Sequence, residues 1–355
     1  MVITRIVKLC FGDVEIKKLV EDRVEIFSDC VNYWIDVIRE KQSTKLRDLQ
    51  GVSYFEARKI FKLDGKSTQL AEMFAVRLSR TTKKRRADTP HLKSKFLIIE
   101  PVVKDNKISF TMGDRKRHWI EFKGQILPKG RFVSSKIKKT NDEWYCFLSI
   151  DVEEQKPKNF RECIGVDLGI AKTAVVTDSK GRDTKFFDGE PYRFKKNHYR
   201  ELRRKLQPKI KEGNVYKLLN KLSEKEENWV TNENHRISRE IVKMAVEKKR
   251  SIALEKLTGI VKRLKVNKKT RVMLKGWSFS QLASFIEYKA KLVGITVVYI
   301  DPRGTSKTCP KCQYCYRGNR RTQSVFKCRQ CNYESNADRV GAMNIALRGN
   351  TELSA

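Results

Sequence analysis

The sequence predicts two lobes: an N-terminal lobe of helices set within a small antiparallel β-barrel, and a C-terminal α/β lobe interrupted by a cysteine-rich ribbon. Three observations carry this. The 355-residue chain is long enough for two or three domains of about 100 to 200 residues each. Its apolar residues alternate in short runs between positions 95 and 153, and beyond 162 they fall into strand and helix periods in turn. Five of its nine cysteines crowd between positions 309 and 331.

The elements follow in order. MVITRIVKL is a short apolar strand pattern and places the first barrel strand in residues 1–12. From about Val14 to Ile38, Val20, Val24, Phe27, Val31, Trp34, Ile35 and Ile38 recur at helical spacing, flanked by Leu19 and Ile26, so one helix face is buried. A second helix is expected over Ser67 to Ser79, with Leu70, Met73, Phe74 and Leu78. It ends in Thr82, Lys83, Lys84, Arg85 and Arg86, a run suited to facing phosphates. Residues 13–90 are therefore a helical segment and 91–155 the rest of the barrel. There KFLIIEPV, KISFTM, HWIEF, FVSSKIKK and EWYCFLSIDV are separated by DN, GDRK, PKG and TNDE turn signals. KPKNFR, residues 156–161, is polar and Pro-containing and marks a linker.

Beyond it, ECIGVDLGIAKTAVVTDSKG reads as two strands joined by a tight turn, closed by a hairpin signal at Ser179, Lys180 and Gly181. A basic helical segment, 190–250, follows with Lys195, Lys196, Arg200, Arg203, Arg204, Lys205 and Lys209. Tyr192, Phe194, Tyr199 and, later, Trp277 serve either packing or stacking on unpaired bases. A helical pattern from Asn234 to Arg250 runs into the strand SIALEKL, and a helix from Ser280 to Val293 into ITVVYID. Strand pair, helix, strand, helix, strand is α/β organisation. Val261 to Lys275 holds seven Lys or Arg and no acid, among them Lys262, Arg263, Lys265, Lys268, Lys269 and Arg271. It is either a solvated loop or a phosphate track. His91, His118, His198 and His235 form no ligand or base constellation.

Charge narrows the partners. Lys and Arg total 77 against 42 Asp and Glu, a net charge of +35. That excess repels itself unless a polyanion neutralises it, so nucleic acid is the expected partner. No stretch approaches the roughly 20 consecutive apolar residues of a membrane-spanning helix. Asp13 and Glu15 follow the first apolar run at once, unlike a signal peptide. The expectation is a soluble, cytoplasmic, nucleic-acid-associated protein without a membrane partner.

Cys309-Pro-Lys-Cys312, fifteen intervening residues and Cys328-Arg-Gln-Cys331 form two knuckles that can wrap four thiolates about one structural Zn²⁺. Cys312-Gln-Tyr-Cys315 is a second CxxC, and a registry using Cys315 stays open at this level. Three acids stand in apolar surroundings. Asp167 interrupts Ile164-Gly-Val-Asp-Leu-Gly-Ile170, and Glu255 ends Ser251-Ile-Ala-Leu-Glu255. Asp338 opens NADRVGAMNIAL, where Asp338, Gly341, Ala342 and Ile345 share a helix face. A carboxylate in a buried strand is costly unless paired or holding a metal. Singly, each has an ordinary reading as a turn residue, a strand end or a helix N-terminal acid. Together they suit the RNase H-like plan, in which carboxylates hold two Mg²⁺ about 4 Å apart and a phosphodiester is hydrolysed.

GVDLGI, ALEKL and ADRVGAMNI resemble the three RuvC motifs of TnpB proteins, transposon-encoded relatives of type V CRISPR effectors. DPRGTSKTCPKC, residues 301 to 312, is similar to that family's entry into its zinc ribbon. The resemblance covers about residues 162–349. It implies an α/β RNase H-like (RuvC) nuclease domain with motifs I and II over 162–303, an inserted zinc ribbon over 304–334, motif III over 335–349 and a tail over 350–355. The N-terminal lobe would be a wedge-like β-barrel with a helical recognition insertion. Asp167, Glu255 and Asp338 become the catalytic Mg²⁺ ligands, and Cys309, Cys312, Cys328 and Cys331 the Zn²⁺ ligands. The implied activity is RNA-guided cleavage of double-stranded target DNA, complementary to a guide RNA and beside a short flanking motif. The basic runs would track phosphates while base pairing reads sequence. Motif III departs from the family pattern at Val340 and Gly341, where Asn and Ala often stand. A compact type V CRISPR effector shares this chemistry. A guide-dependent DNA-binding regulator would have lost one of the acids, and a strand-joining transposase would need a motif that is absent here.

Overall fold

The computed structural model describes residues 1–84, 89–111, 116–124, 126–140, 142–210, 213–256 and 278–354, the side chains of residues 52, 83 and 84 excepted. The chain falls into two compact units, Met1–Glu153 and Glu154–Ala355.

In the first unit, strand β1 (Val2–Cys10) leads into α1 (Val14–Lys41), α2 (Leu46–Leu49), α3 (Val52–Phe61) and α4 (Gly65–Lys84). The Asp13 carboxylate accepts the Glu15 N–H at 2.7 Å and caps the start of α1. Gln42, in the left-handed region at φ 48°, ends it. The buried stripe is the one its period predicts, with Phe27, Val31, Trp34 and Ile35 fully enclosed. Strands β2 (Leu97–Ile99), β3 (Val102–Lys104), β4 (Lys107–Thr111), β5 (Arg117–Gly124), β6 (Arg131–Thr140) and β7 (Glu143–Asp151) complete a seven-stranded sheet with β1. Its order is β2-β6-β7-β1-β5-β4-β3 and its pairings are antiparallel.

The run KFLIIEPV is thus two strands. Pro101, which lacks an N–H for the ladder, stands between β2 and β3, and they lie at opposite edges of the sheet. Asp105 and Asn106, at φ 47° and 59°, form the tight turn that joins β3 to β4.

In the second unit, β8 (Cys163–Asp167), β9 (Lys172–Asp178), β10 (Lys185–Asp188), β11 (Ser251–Glu255) and β12 (Val297–Ile300) form a sheet of order β10-β9-β8-β11-β12. Strands β8, β11 and β12 run parallel, while β9 is antiparallel to β8 and to β10. Between the strands lie α5 (Glu190–Leu206), α6 (Val215–Glu247) and α7 (Phe279–Leu292); a short ribbon carries β13 (Val325–Lys327) and β14 (Glu334–Asn336), and α8 (Ala337–Ser354) follows.

Period two along the strands divides the faces. Ile164, Val166, Ile252 and Leu254 share a core with Ile237, Ile241 and Ala245 of α6 and Leu282, Ile286 and Ala290 of α7. Cys163, Ala253 and Ile300 point to the opposite face and pack with Ile345 of α8.

Two expected boundaries move. Residues 156–161 are not a free linker: the Lys158 N–H donates to Gly294 O at 2.8 Å, and Phe160 packs against the α6/α7 core. They belong to the second unit. Residues 350–354 are not a tail, because α8 runs through Ser354, and Asn350 Oδ1 accepts the Cys163 N–H at 2.6 Å at the start of β8. Among the described residues no helix is long and apolar enough to cross a membrane.

Candidate active site and metal centre

The sheet brings two of the acids together by register. Strands β8 and β11 pair in parallel as Ile164 with Ile252, Gly165 with Ala253 and Val166 with Leu254. One step further, Asp167 and Glu255 stand at the C-terminal ends of neighbouring strands. Both share the face of Gly165 and Ala253, where α8 lies.

Small residues let α8 approach. A Cβ at Gly165 would stand 2.0 Å from Ala342 O and 2.4 Å from Ala346 N, so helix backbone rests directly on the strand. A Cβ at Gly349 would meet Ala253 Cβ at 2.5 Å. At Gly341 it would meet Asp167 Oδ2 at 2.8 Å. Asp338, one turn before Gly341, therefore occupies the helix face that meets Asp167.

The electrostatics agree with this crowding. Burial, and then the neighbouring Glu255 and Asp338, push the Asp167 carboxyl up to about 8, with Arg320 opposing. Burial also raises Glu255, against a hydrogen bond from Thr305 and the charge of Arg348. Carboxylates are hard oxygen donors of the kind that hold Mg²⁺, and here Arg320 and Arg348 offset part of their charge.

Three partners complete the surroundings of the acids: Thr305 lies within DPRGTSKTCPKC and Asn344 within ADRVGAMNI, whereas Arg320 lies in neither. Thr305 Oγ1 donates to Glu255 Oε1 at 2.6 Å. Asn344 Nδ2, from α8, donates to Thr305 O at 2.6 Å and to Thr308 O at 2.8 Å, so the helix bearing Asp338 also fixes the segment that orients Glu255. Arg320, from the ribbon, pairs with Asp338 Oδ1 at 2.9 Å. Arg320 is one basic residue among many in the sequence, and its role is visible only in space.

The four knuckle cysteines also meet. Single ligand atoms of Cys309, Cys312, Cys328 and Cys331 all lie within 4.8 Å of one another, with Cys309 Sγ 3.5 Å from Cys331 Sγ and Cys312 Sγ 3.6 Å from Cys328 Sγ. Cys315 is exposed and stands outside this group. Burial opposes ionisation of Cys328, but the N–H groups of Cys331 and Gln330 outweigh it and bring the thiol down to about 7. Burial holds Cys309 up, at about 12. Four gathered sulfurs without a disulfide match a tetrahedral thiolate site.

The basic candidates divide. On α5, Lys196 and Arg203 reach Glu226 of α6 at 3.6 and 2.6 Å, so they also join two helices. Arg200 and Arg204 are exposed and Lys195 is partly so. Tyr192 is a core residue whose hydroxyl lies 2.6 Å from Ser278 Oγ, whereas Phe194 is exposed. Arg85, Arg86, Lys262, Arg263, Lys265, Lys268, Lys269, Arg271 and Trp277 lie outside the described residues, as do the side chains of Lys83 and Lys84.

Comparison with known proteins gives two family matches: residues 147–259 match a probable transposase of the OrfB IS605 type, and residues 279–345 match a Cas12f1-like TNB domain. A TnpB-like protein of Methanocaldococcus jannaschii is 34% identical over 197 residues, 53% of this chain and 69% of that protein. The CRISPR-associated endodeoxyribonuclease Cas12f1 of Sulfoacidibacillus thermotolerans is 31% identical over 227 residues, 58% of this chain and 50% of that protein. The chain spans about half the length of the Cas12f1 relatives it matches. A cryo-EM structure of a Cas12f1-sgRNA-target DNA complex aligns over 98% of this chain and 99% of that chain at 19% identity, with a TM-score of 0.44.

Proposed function

The chain belongs to the TnpB-like family, and from that membership we propose that it is an RNA-guided DNA endonuclease, cutting double-stranded DNA that matches a guide RNA beside a short flanking motif. What supports the reading is that Asp167 and Glu255 end neighbouring strands on the face that α8 covers, with Asp338 in the first turn of that helix. In this reading the second unit is an RNase H-like (RuvC) domain with an inserted zinc ribbon, and the seven-stranded sheet is a wedge-like barrel around a helical recognition segment.

Asp167, Glu255 and Asp338 would hold the catalytic Mg²⁺ ions, and the four cysteines one structural Zn²⁺. Bound Mg²⁺ supplies Lewis-acid activation of water and charge neutralisation at the leaving oxygen. The chain's own residues do the positioning. Thr305 fixes the Glu255 carboxylate, Asn344 fixes Thr305, and Arg320 places a guanidinium beside Asp338, where it complements a phosphate. Exposed cations of α5, Arg200 and Arg204 first, would follow the phosphates of the guide-target duplex, with the basic runs at 83–86 and 262–271 as further contacts. A protein working on such partners acts in the cytoplasm.

A compact type V effector with the same chemistry is the second reading, favoured by the Cas12f1 relatives; the source of the guide separates the two. The test is to purify the protein from cells carrying its native locus, sequence the co-purifying RNA and assay Mg²⁺-dependent cutting of matched DNA with randomised flanks. A discrete RNA, cutting of matched DNA and its loss in Asp167→Ala and Glu255→Ala are expected. Bound RNA without cutting by the wild type would instead indicate a DNA-binding regulator.

A further inference from the structure

We propose that Thr305 is a positioning residue that makes the acid site select Mg²⁺ over Ca²⁺, by occupying one oxygen of Glu255 and leaving the other for the metal. This rests on the reading of Asp167, Glu255 and Asp338 as a divalent-cation site.

A threonine hydroxyl has a single proton to donate. Thr305 Oγ1 lies 2.6 Å from Glu255 Oε1 and 3.0 Å from Pro302 O. The carboxylate is the nearer acceptor and, when charged, the stronger one, so the proton goes to Glu255. Among the described residues no other hydrogen bond reaches this carboxylate. A cation therefore meets Oε2 without competition, whereas gripping both oxygens requires breaking the bond from Thr305.

The hydroxyl is held where it is. Thr305 is buried, and α8 anchors its loop at three carbonyls. Arg348 Nη1 donates to Asp301 O at 2.7 Å, and the buried Asn344 Nδ2 donates to Thr305 O at 2.6 Å and to Thr308 O at 2.8 Å. Gly304, at φ 78°, makes the bend before Thr305, and its carbonyl accepts from both Thr308 N at 3.0 Å and Thr308 Oγ1 at 2.9 Å. A loop tied down on either side of Thr305 keeps Oγ1 from swinging aside, so the constraint on Glu255 exists before any metal arrives.

The two ions ask different things of a carboxylate. Ca²⁺ gathers about 6–8 oxygens in flexible geometry and accepts both oxygens of one carboxylate. Mg²⁺ is smaller, demands a near-ideal octahedron and keeps several of its waters. A glutamate limited to one oxygen suits the octahedral ion and denies the larger one a ligand.

The test titrates Mg²⁺ and Ca²⁺ separately into the full chain, without nucleic acid, and takes an apparent Kd for each from the rise in melting temperature. Wild type is compared with Thr305→Val, which keeps the shape and removes the hydroxyl, with Thr305→Ser, which keeps the hydroxyl, and with Asp167→Asn. Thr305→Val should gain affinity for Ca²⁺ relative to Mg²⁺ by about tenfold, near the lower end of what a hydrogen bond to a charged group is worth. Thr305→Ser should stay within about threefold of the wild-type ratio, since serine offers the same single donor. Damage to packing weakens both ions together and leaves their ratio alone. An unmoved ratio in Thr305→Val, or a parallel loss of both ions, therefore overturns the proposal while the endonuclease reading stands. A tenfold change that also appears in Thr305→Ser overturns it too, because the hydroxyl would not be the cause. Wild type that binds neither ion more tightly than Asp167→Asn overturns the cation-site reading and the proposal with it, so the two failures are distinguishable.

Discussion

Gly165→Ala tests the seating of α8 on the sheet. The added methyl carbon would lie 2.0 Å from Ala342 O and 2.4 Å from Ala346 N, where ordinary contact begins near 3.4 Å. Both obstacles are helix backbone, so no rotamer relieves them and the helix must move by about 1 Å or more. Overpacking of this kind costs about 1–3 kcal/mol, and in a unit of about 200 residues each kcal/mol lowers the melting temperature by about 2–4 °C. The expected drop is therefore about 2–12 °C. The same shift carries Asp338 away from Asp167, and about 1 Å of misplacement costs about 100-fold in rate. Thermal melting and single-turnover cleavage by the guide-loaded protein measure the two effects. Gly12→Ala, with nothing within 4 Å of the added atom, is the control. A Gly165→Ala chain that melted and cut like the control would refute the packing described for α8.

Gly341→Ala should separate activity from stability: the new methyl meets the Asp167 carboxylate at 2.8 Å rather than backbone, so cleavage should fall about tenfold or more while melting moves by less than about 2 °C. Asp167 and Glu255 are both raised in the folded chain, so their contribution to stability is present below the unfolded carboxylate pKa of about 4 and is lost as pH rises, for Asp167 through about 8. Melting of the metal-free protein should accordingly decline over that range, Asp167→Asn should flatten the decline, and added Mg²⁺ should raise the melting temperature more at pH 8.5 than at pH 6; an Asp167→Asn curve parallel to wild type would contradict this. Cys309→Ser or Cys328→Ser should abolish stoichiometric zinc in metal analysis, whereas Cys315→Ser should leave it unchanged. Arg200→Ala with Arg204→Ala should weaken duplex binding and reduce the logarithmic salt slope by about 1.8, the value for two lost phosphate contacts.

What the sequence disclosed depended on whether the signal was local. The α1 stripe, the cysteine knuckles and the acids at 167, 255 and 338 are contrasts between a residue and its immediate neighbours, and each can be read in a line of text. Helices α2 and α3 escaped because they are short and much of their apolar surface faces water: Phe55 and Ile60 are 69% and 60% exposed, so no stripe stands out. Strand β10 escaped because only Phe187 of its four residues is buried. The split at Pro101 was written in the sequence, yet an apolar run on both sides disguised it. Thr305 and Asn344 stand inside DPRGTSKTCPKC and ADRVGAMNI, yet their roles, like that of Arg320, show only in partners 50, 39 and 18 positions away.

The third acid stands on the helix that begins where β14 of the ribbon ends, and this has a consequence for timing during synthesis. Asp167 and Glu255 leave the ribosome well before Asp338 does. A growing chain therefore carries only two of the three acids until the ribbon has closed and α8, through its own Gly349, has settled against Ala253 and Gly165. The third acid thus joins the other two only after the cysteine ribbon has been made, so closure of the ribbon and completion of the acid set are successive stages of one maturation.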